Sequence, residues 1–85
     1  MSKTTQATTY LKTVLSELCQ FPDELILEEK LDADGLLINV RGNPEDLRLL
    51  VGKRGSSAET IRHLMRLWGV RNVAQVSVII NRKDE

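Results

Sequence analysis

The chain has one cysteine, one histidine, and one each of tryptophan, tyrosine and phenylalanine in 85 residues, and each scarcity removes a class of protein. Cys19 has no second cysteine to pair with, so no internal disulfide is possible and a cytoplasmic setting is expected. Its place in an apolar helical stripe predicts a small core residue rather than a reactive thiol. His63 stands without a second histidine or a cysteine cluster, which leaves a zinc site no ligand set. Three aromatics cannot build the stacking platform with which some modules hold bases. No apolar run approaches a membrane span, and the first residues carry no secretory-leader pattern.

The formal net charge is zero, which by itself argues against a polyanionic partner, but the charges are not evenly placed. Residues 41–71 hold seven basic side chains (Arg41, Arg48, Lys53, Arg54, Arg62, Arg66 and Arg71) against Glu45, Asp46 and Glu59, a net +4. Residues 1–40 carry net −4. A neutral total thus conceals one basic half.

That half contains the densest motif, Val51-Gly52-Lys53-Arg54-Gly55-Ser56-Ser57. Two glycines bracket two cations. Glycine lets the backbone adopt positive φ and lets a ligand approach closely. Asn43-Pro44-Glu45-Asp46 before it has the form of a helix start, with an Asn cap, Pro at the first position and acids in the first turn. Ser56-Ser57-Ala58-Glu59 after it has the form of a capping box. Ala58, Ile61, Leu64, Met65 and Trp68 follow at helical spacing, and Gly69 is expected to close that helix. The glycines therefore join a helix end to a helix start, where free N–H groups and a positive dipole end suit phosphate. It is not a P-loop: Leu47 stands where that motif needs glycine, and Arg54 where it needs a hydroxyl.

Residues 1–8 are polar and aperiodic and are expected to form a flexible tail. A first helix capped by Thr8 or Thr9 carries Leu11, Val14, Leu15 and Leu18 on one face and ends at Pro22. Residues 25–31 read as an edge strand with Leu25, Leu27 and Leu31 on one face, interrupted by Glu29. The turn 32–35 leads to residues 36–41, where Leu36, Ile38 and Val40 share a face. Residues 72–81 hold the last strand, with Val76, Val78 and Ile80 on one side and Ile79 on the other. The short turn makes the first two strands antiparallel, and the helical crossover makes the last parallel to the second. The expected architecture is α+β, in the order α-β-β-α-α-β, with three helices on one face of a three-stranded mixed sheet.

This order, with Asn43-Pro44-Glu45-Asp46-Leu47, Val51-Gly52-Lys53-Arg54-Gly55 and Ile61-Arg62, resembles the small bacterial single-KH RNA-binding proteins of the type II KH fold. The resemblance covers residues 9–82 and leaves 83–85 as a second tail. It implies a cytoplasmic RNA chaperone or post-transcriptional regulator of single-stranded RNA, in pathways touching cell growth and envelope synthesis. It also implies a homodimer, or a heterodimer with a larger Jag-type KH protein, and no cofactor, metal or small-molecule substrate. The second face of the last strand, with Ile79, and the helix bearing Leu47 and Leu50 are the two candidate contacts for such a partner. The expected RNA contacts are Val51, Gly52, Lys53, Arg54, Gly55, Ser56 and Ser57 of the loop, with Arg41, Arg62 and Leu64 beside it. Ile61 is expected to pack in the core.

Two other classes compete. An enzyme would need a nucleophile–base pair or paired carboxylates. Glu28, Glu29, Asp32 and Asp34 cluster, but on a strand edge and turn where solvated charge is ordinary. A protein-interaction module that uses the KH scaffold for dimerisation, with little RNA binding of its own, is the stronger rival. The adjacent cations Lys53 and Arg54 argue against an idle loop.

Overall fold

A computed structural model of the chain describes residues 3–33, 35–72 and 75–80, with side chains from residue 6 to residue 71 apart from residue 34, and at 75–80. Its elements are α1 (Lys3–Leu18), β1 (Ile26–Asp32), β2 (Gly35–Arg41), α2 (Pro44–Val51), α3 (Ser56–Asn72) and β3 (Val76–Ile80). Single 3-10 turns occupy Pro22–Glu24 and Lys53–Gly55. The sheet order is β1-β2-β3, antiparallel between the first pair and parallel between the second. The expected three-stranded mixed sheet and three helices are all present.

Alternation along β2 sends Leu36, Ile38 and Val40 toward the helices, where they are buried. Val76, Val78 and Ile80 of β3 join them. From the helices come Ala7, Leu11 and Leu15 of α1, Leu47 and Leu50 of α2, and Ala58, Ile61 and Met65 of α3. Leu25 closes the end of this core just before β1.

Several boundaries differ from expectation. Helix α1 begins at Lys3, so residues 3–8 are helical rather than a tail. Ala7 is fully buried one turn before Leu11, so the apolar stripe starts earlier and packing, not a threonine cap, holds this end. Thr8 also hydrogen-bonds Glu29 of β1. At the other end Leu18 is exposed, so the stripe stops one turn before the helix does. Leu31 is exposed as well, although its register places it on the helix side opposite Leu36. Gly69 does not close α3, which continues to Asn72. It is buried and lies four residues after Met65, so it extends the buried stripe of α3. Asn72 accordingly belongs to α3 and not to the last strand; Asn81 and the tail 83–85 lie outside the described residues.

Cys19 follows α1, half-buried against the core. Burial pushes its thiol pKa up, and the Asp46 carboxylate adds to the shift, which suits a packing residue. Asp46 is itself the buried charged residue of α2. Its two carboxylate oxygens accept from the backbone N–H groups of Gln20 (2.8 Å) and Phe21 (2.9 Å). One side chain thereby satisfies two donors of the connector after α1 and ties it to α2.

Candidate nucleic-acid interface

Helix α2 starts as its sequence dictates. Asn43 has extended angles and its side chain accepts from Glu45 N–H, with Pro44 in the first turn. The helix ends when Gly52 turns to φ 77°, ψ −179° while its N–H still bonds Arg48 O. A Cβ at Gly52 would come within 2.7 Å of the Ser57 Cβ and backbone N, so this glycine is enforced by space as well as by angle. Gly55 also has positive φ (78°), but an added Cβ there would meet nothing within 4 Å. Between them Arg54 adopts left-handed angles (φ 58°, ψ 28°). It is the non-glycine residue with positive φ among those described.

A left-handed arginine costs about 1 kcal/mol or more relative to glycine. The cost is accepted at a position where glycine or asparagine would be cheaper, and strain of this kind concentrates at binding loops. Lys53 and Arg54 are both exposed. The N–H groups of Gly52, Gly55 and Ser56 are engaged internally, with Arg48 O, Gly52 O and Lys53 O. Ser56 has helical angles (φ −65°, ψ −40°), so it is the first residue of α3 rather than its cap. Glu59 turns instead toward Arg62 (3.1 Å) and Arg66 (4.0 Å), and the expected capping box is replaced by ion pairs along the helix.

The remaining site residues divide. Ser57 is half-buried beneath Gly52, and Val51 packs against the core. Leu64 is half-buried on α3, while Ile61 is core, as expected. Arg62 lies two turns into α3, where its Nε donates to Val78 O (3.0 Å) on the outer edge of β3. Arg41 is not brought to the loop. It projects from the sheet face opposite the helices and faces Glu28 at 3.8 Å. Sequence reasoning missed the Arg54 conformation and the Arg62–Val78 bond. The first has no sequence signal. The second follows only once α3 is known to pack along the edge of β3.

Beside the loop, Leu18, Leu49, Leu50, Ser57, Thr60 and Ile61 line an apolar cavity of about 280 Å³. A second, more polar cavity of about 260 Å³ lies between α3 and β3, lined by Arg62, Arg66, Val76, Ser77 and Val78. No group of three or more His, Cys, Asp or Glu side chains that could hold a metal ion occurs among the described residues.

A three-stranded mixed sheet in the order α-β-β-α-α-β, with a Gly-Lys-Arg-Gly turn between its second and third helices, is consistent with the type II KH fold. Among curated proteins, the chain is similar to RNA-binding protein KhpA of Clostridium acetobutylicum, with 29% identity over 70 residues, 82% of this chain and 93% of that protein. It is also similar to RNA-binding protein KhpA of Lactiplantibacillus plantarum, with 33% identity over 55 residues, 65% of each. These are homologues at modest identity over most of the chain. No protein-family model matches the chain, and no solved structure matches it.

Proposed function

We propose that this chain is a non-enzymatic binding module for single-stranded RNA that grips the sugar–phosphate backbone with the turn from Gly52 to Gly55. The carrying observation is the turn itself. Two cations stand exposed at the amino end of α3, one of them in a left-handed conformation, and the space over Gly55 is empty. Charge from Lys53 and Arg54 and the dipole of α3 favour phosphate there. With three loop amides already engaged, those of Lys53 and Arg54 are the donors that would meet it. The naming of the homologues supports RNA as the polyanion. Ser56, Ser57, Val51, Leu64 and Arg62 border the path, whereas Arg41, across the sheet, is dropped from it.

A single KH unit contacts about four nucleotides, so useful affinity calls for a second bound unit, and linkage can raise avidity roughly 10²- to 10⁴-fold. The face of the sheet away from the helices suits such a partner. It exposes Ile26 and Ile79 and holds Asn39 Oδ1 buried without a hydrogen-bond partner among the described residues. Leu47 and Leu50 of α2 are buried in the core and cannot serve. The partner is a second copy or a larger Jag-type KH protein, and the role is that of a cytoplasmic RNA chaperone or regulator. No described helix is long and apolar enough to cross a membrane.

Filter binding of mixed-sequence single-stranded RNA at two salt concentrations tests the RNA reading. Binding that weakens with salt is expected, and retention indistinguishable from that of a neutral protein would contradict it. Sedimentation of the wild type against Ile79→Glu tests the assembly, with a dimer expected to dissociate in the variant.

A further inference from the structure

The two edges of the sheet are finished differently. Leu36 N–H donates to Gln75 O at the start of β3, so by alternation the peptide groups of Leu36, Ile38 and Val40 face β3, and those of Leu37, Asn39 and Arg41 face β1. Their partners across the antiparallel pair are Lys30, Glu28 and Ile26. The peptide groups of Leu27, Glu29 and Leu31 therefore point away from the sheet, and no strand pairs with them among the described residues. On the opposite edge, Arg62 Nε donates to Val78 O at 3.0 Å and guards β3. Strand β1 has no such cover among the described residues: every residue of it but Leu27 is exposed. Leu31 lies on the helix side, opposite Leu36, yet is 67% exposed beside that open edge. The strand carries Glu28, Glu29 and Asp32 against Lys30, a net −2.

We infer that the open edge of β1 is a docking site for an extended basic segment of another protein, which joins the sheet as a fourth strand. The inference goes beyond the RNA reading and does not rest on it. Charge selects the occupant. Residues directly opposite one another on paired strands share a face and interact. A segment with cations opposite Glu28 and Glu29, an acid opposite Lys30 and apolar residues opposite Leu27 and Leu31 gives each of these side chains its complement. A second copy of the chain does not. In antiparallel self-pairing the three central registers set Glu28, Glu29 or Lys30 against its own copy, and like charges directly opposite are destabilising. The register that brings Leu27 to Leu31 and Glu28 to Lys30 is the one that sets Glu29 against Glu29. The charges of β1 thus resist pairing with themselves, as edge charges commonly do, while its backbone stays open to a strand of opposite sign.

The experiment uses the full chain and a synthetic peptide whose central residues are valine, glutamate, arginine, lysine and valine. Laid antiparallel, these stand opposite Leu31, Lys30, Glu29, Glu28 and Leu27. Amide hydrogen exchange followed by NMR should show protection gained at Leu27, Glu29 and Leu31 when the peptide is added. A peptide with glutamates in place of its arginine and lysine should bind roughly tenfold or more weakly. N-methylation of the valine and arginine amides removes the donors that face β1 and keeps every charge, so it should abolish binding. The double variant Glu28→Lys, Glu29→Lys should exchange the preference and take the glutamate peptide instead. The peptide comparisons on the wild type decide the matter even where that variant loses stability. No protection at the three amides, or an N-methylated peptide that binds as well as its parent, would overturn the docking site. Protection of the same amides in the chain alone, growing with its own concentration, would give the edge to a second copy and overturn the choice of occupant. Each of these results leaves the RNA reading standing.

Discussion

At Gly35 an added Cβ would meet the Gln75 backbone carbonyl and lie 2.9 Å from the Gln75 Cβ, whereas at Gly55 it would meet nothing within 4 Å. Both residues have positive φ, 123° and 78°, yet their surroundings are opposite. The turn into β2 is packed: Leu36 N–H bonds Gln75 O at 2.8 Å beside it, and its flanking sequence is acidic. The turn into α3 is open and its flanking side chains are cations. Gly52 combines the two conditions, since Ser57 fills the space behind it. A glycine demanded by angle and by crowding secures the scaffold; a glycine demanded by angle alone, under empty space, leaves room for something else to approach.

The comparison can be broken by substitution, the largest effect coming first. Gly35→Ala adds both positive-φ strain and a backbone clash, and should cost about 3 kcal/mol of stability by denaturant unfolding. Binding by the folded fraction should be unchanged. Asp46→Ala strips two N–H groups of their acceptor and should cost about 2 kcal/mol, again without weakening RNA binding once folded. A stability like the wild type's would show that the connector finds other partners. Gly55→Val should cost about 1–2 kcal/mol from φ alone, but its loss of affinity should exceed that, because the side chain occupies the space over the turn. Equal losses in melting and binding would return Gly55 to the scaffold class. Arg54→Gly should move the two readouts apart. Relief of the left-handed arginine should raise stability by up to about 1 kcal/mol, while RNA affinity falls.

Local chemistry made part of this legible in the sequence. Asn43-Pro44 announces α2 because the cap and the fixed proline φ act within one turn, and the Gly-Lys-Arg-Gly turn stands between two stripes whose periods are clear. The strand order followed from short connections and alternation, and β3 matched except at its start. What escaped depends on packing between elements. Helix α1 extends back to Lys3 because Ala7 packs and Thr8 meets Glu29, neither visible from a polar stretch of threonines. Gly69 reads as a stop signal until its burial on the Met65 stripe is known. Asp46 reads as a first-turn acid solvated at a dipole end, and only the fold turns it toward Gln20 and Phe21. Arg41 counts toward the basic half in sequence, yet strand alternation sends it to the far face of the sheet.

The central claim is that Lys53 and Arg54 hold phosphate and are not needed to stabilise the fold. Its most direct test is the salt dependence of single-stranded RNA binding for the wild type and for the double variant Lys53→Asp, Arg54→Asp, with melting curves for both. Both side chains are exposed, and Asp tolerates the left-handed angles of residue 54 and the amino end of α3 better than Arg does, so the variant should melt no lower than the wild type. The variant should bind roughly tenfold or more weakly, and the slope of log affinity against log salt should fall by about 0.7 for each phosphate no longer neutralised. An unchanged affinity and slope in a folded double variant would contradict the account.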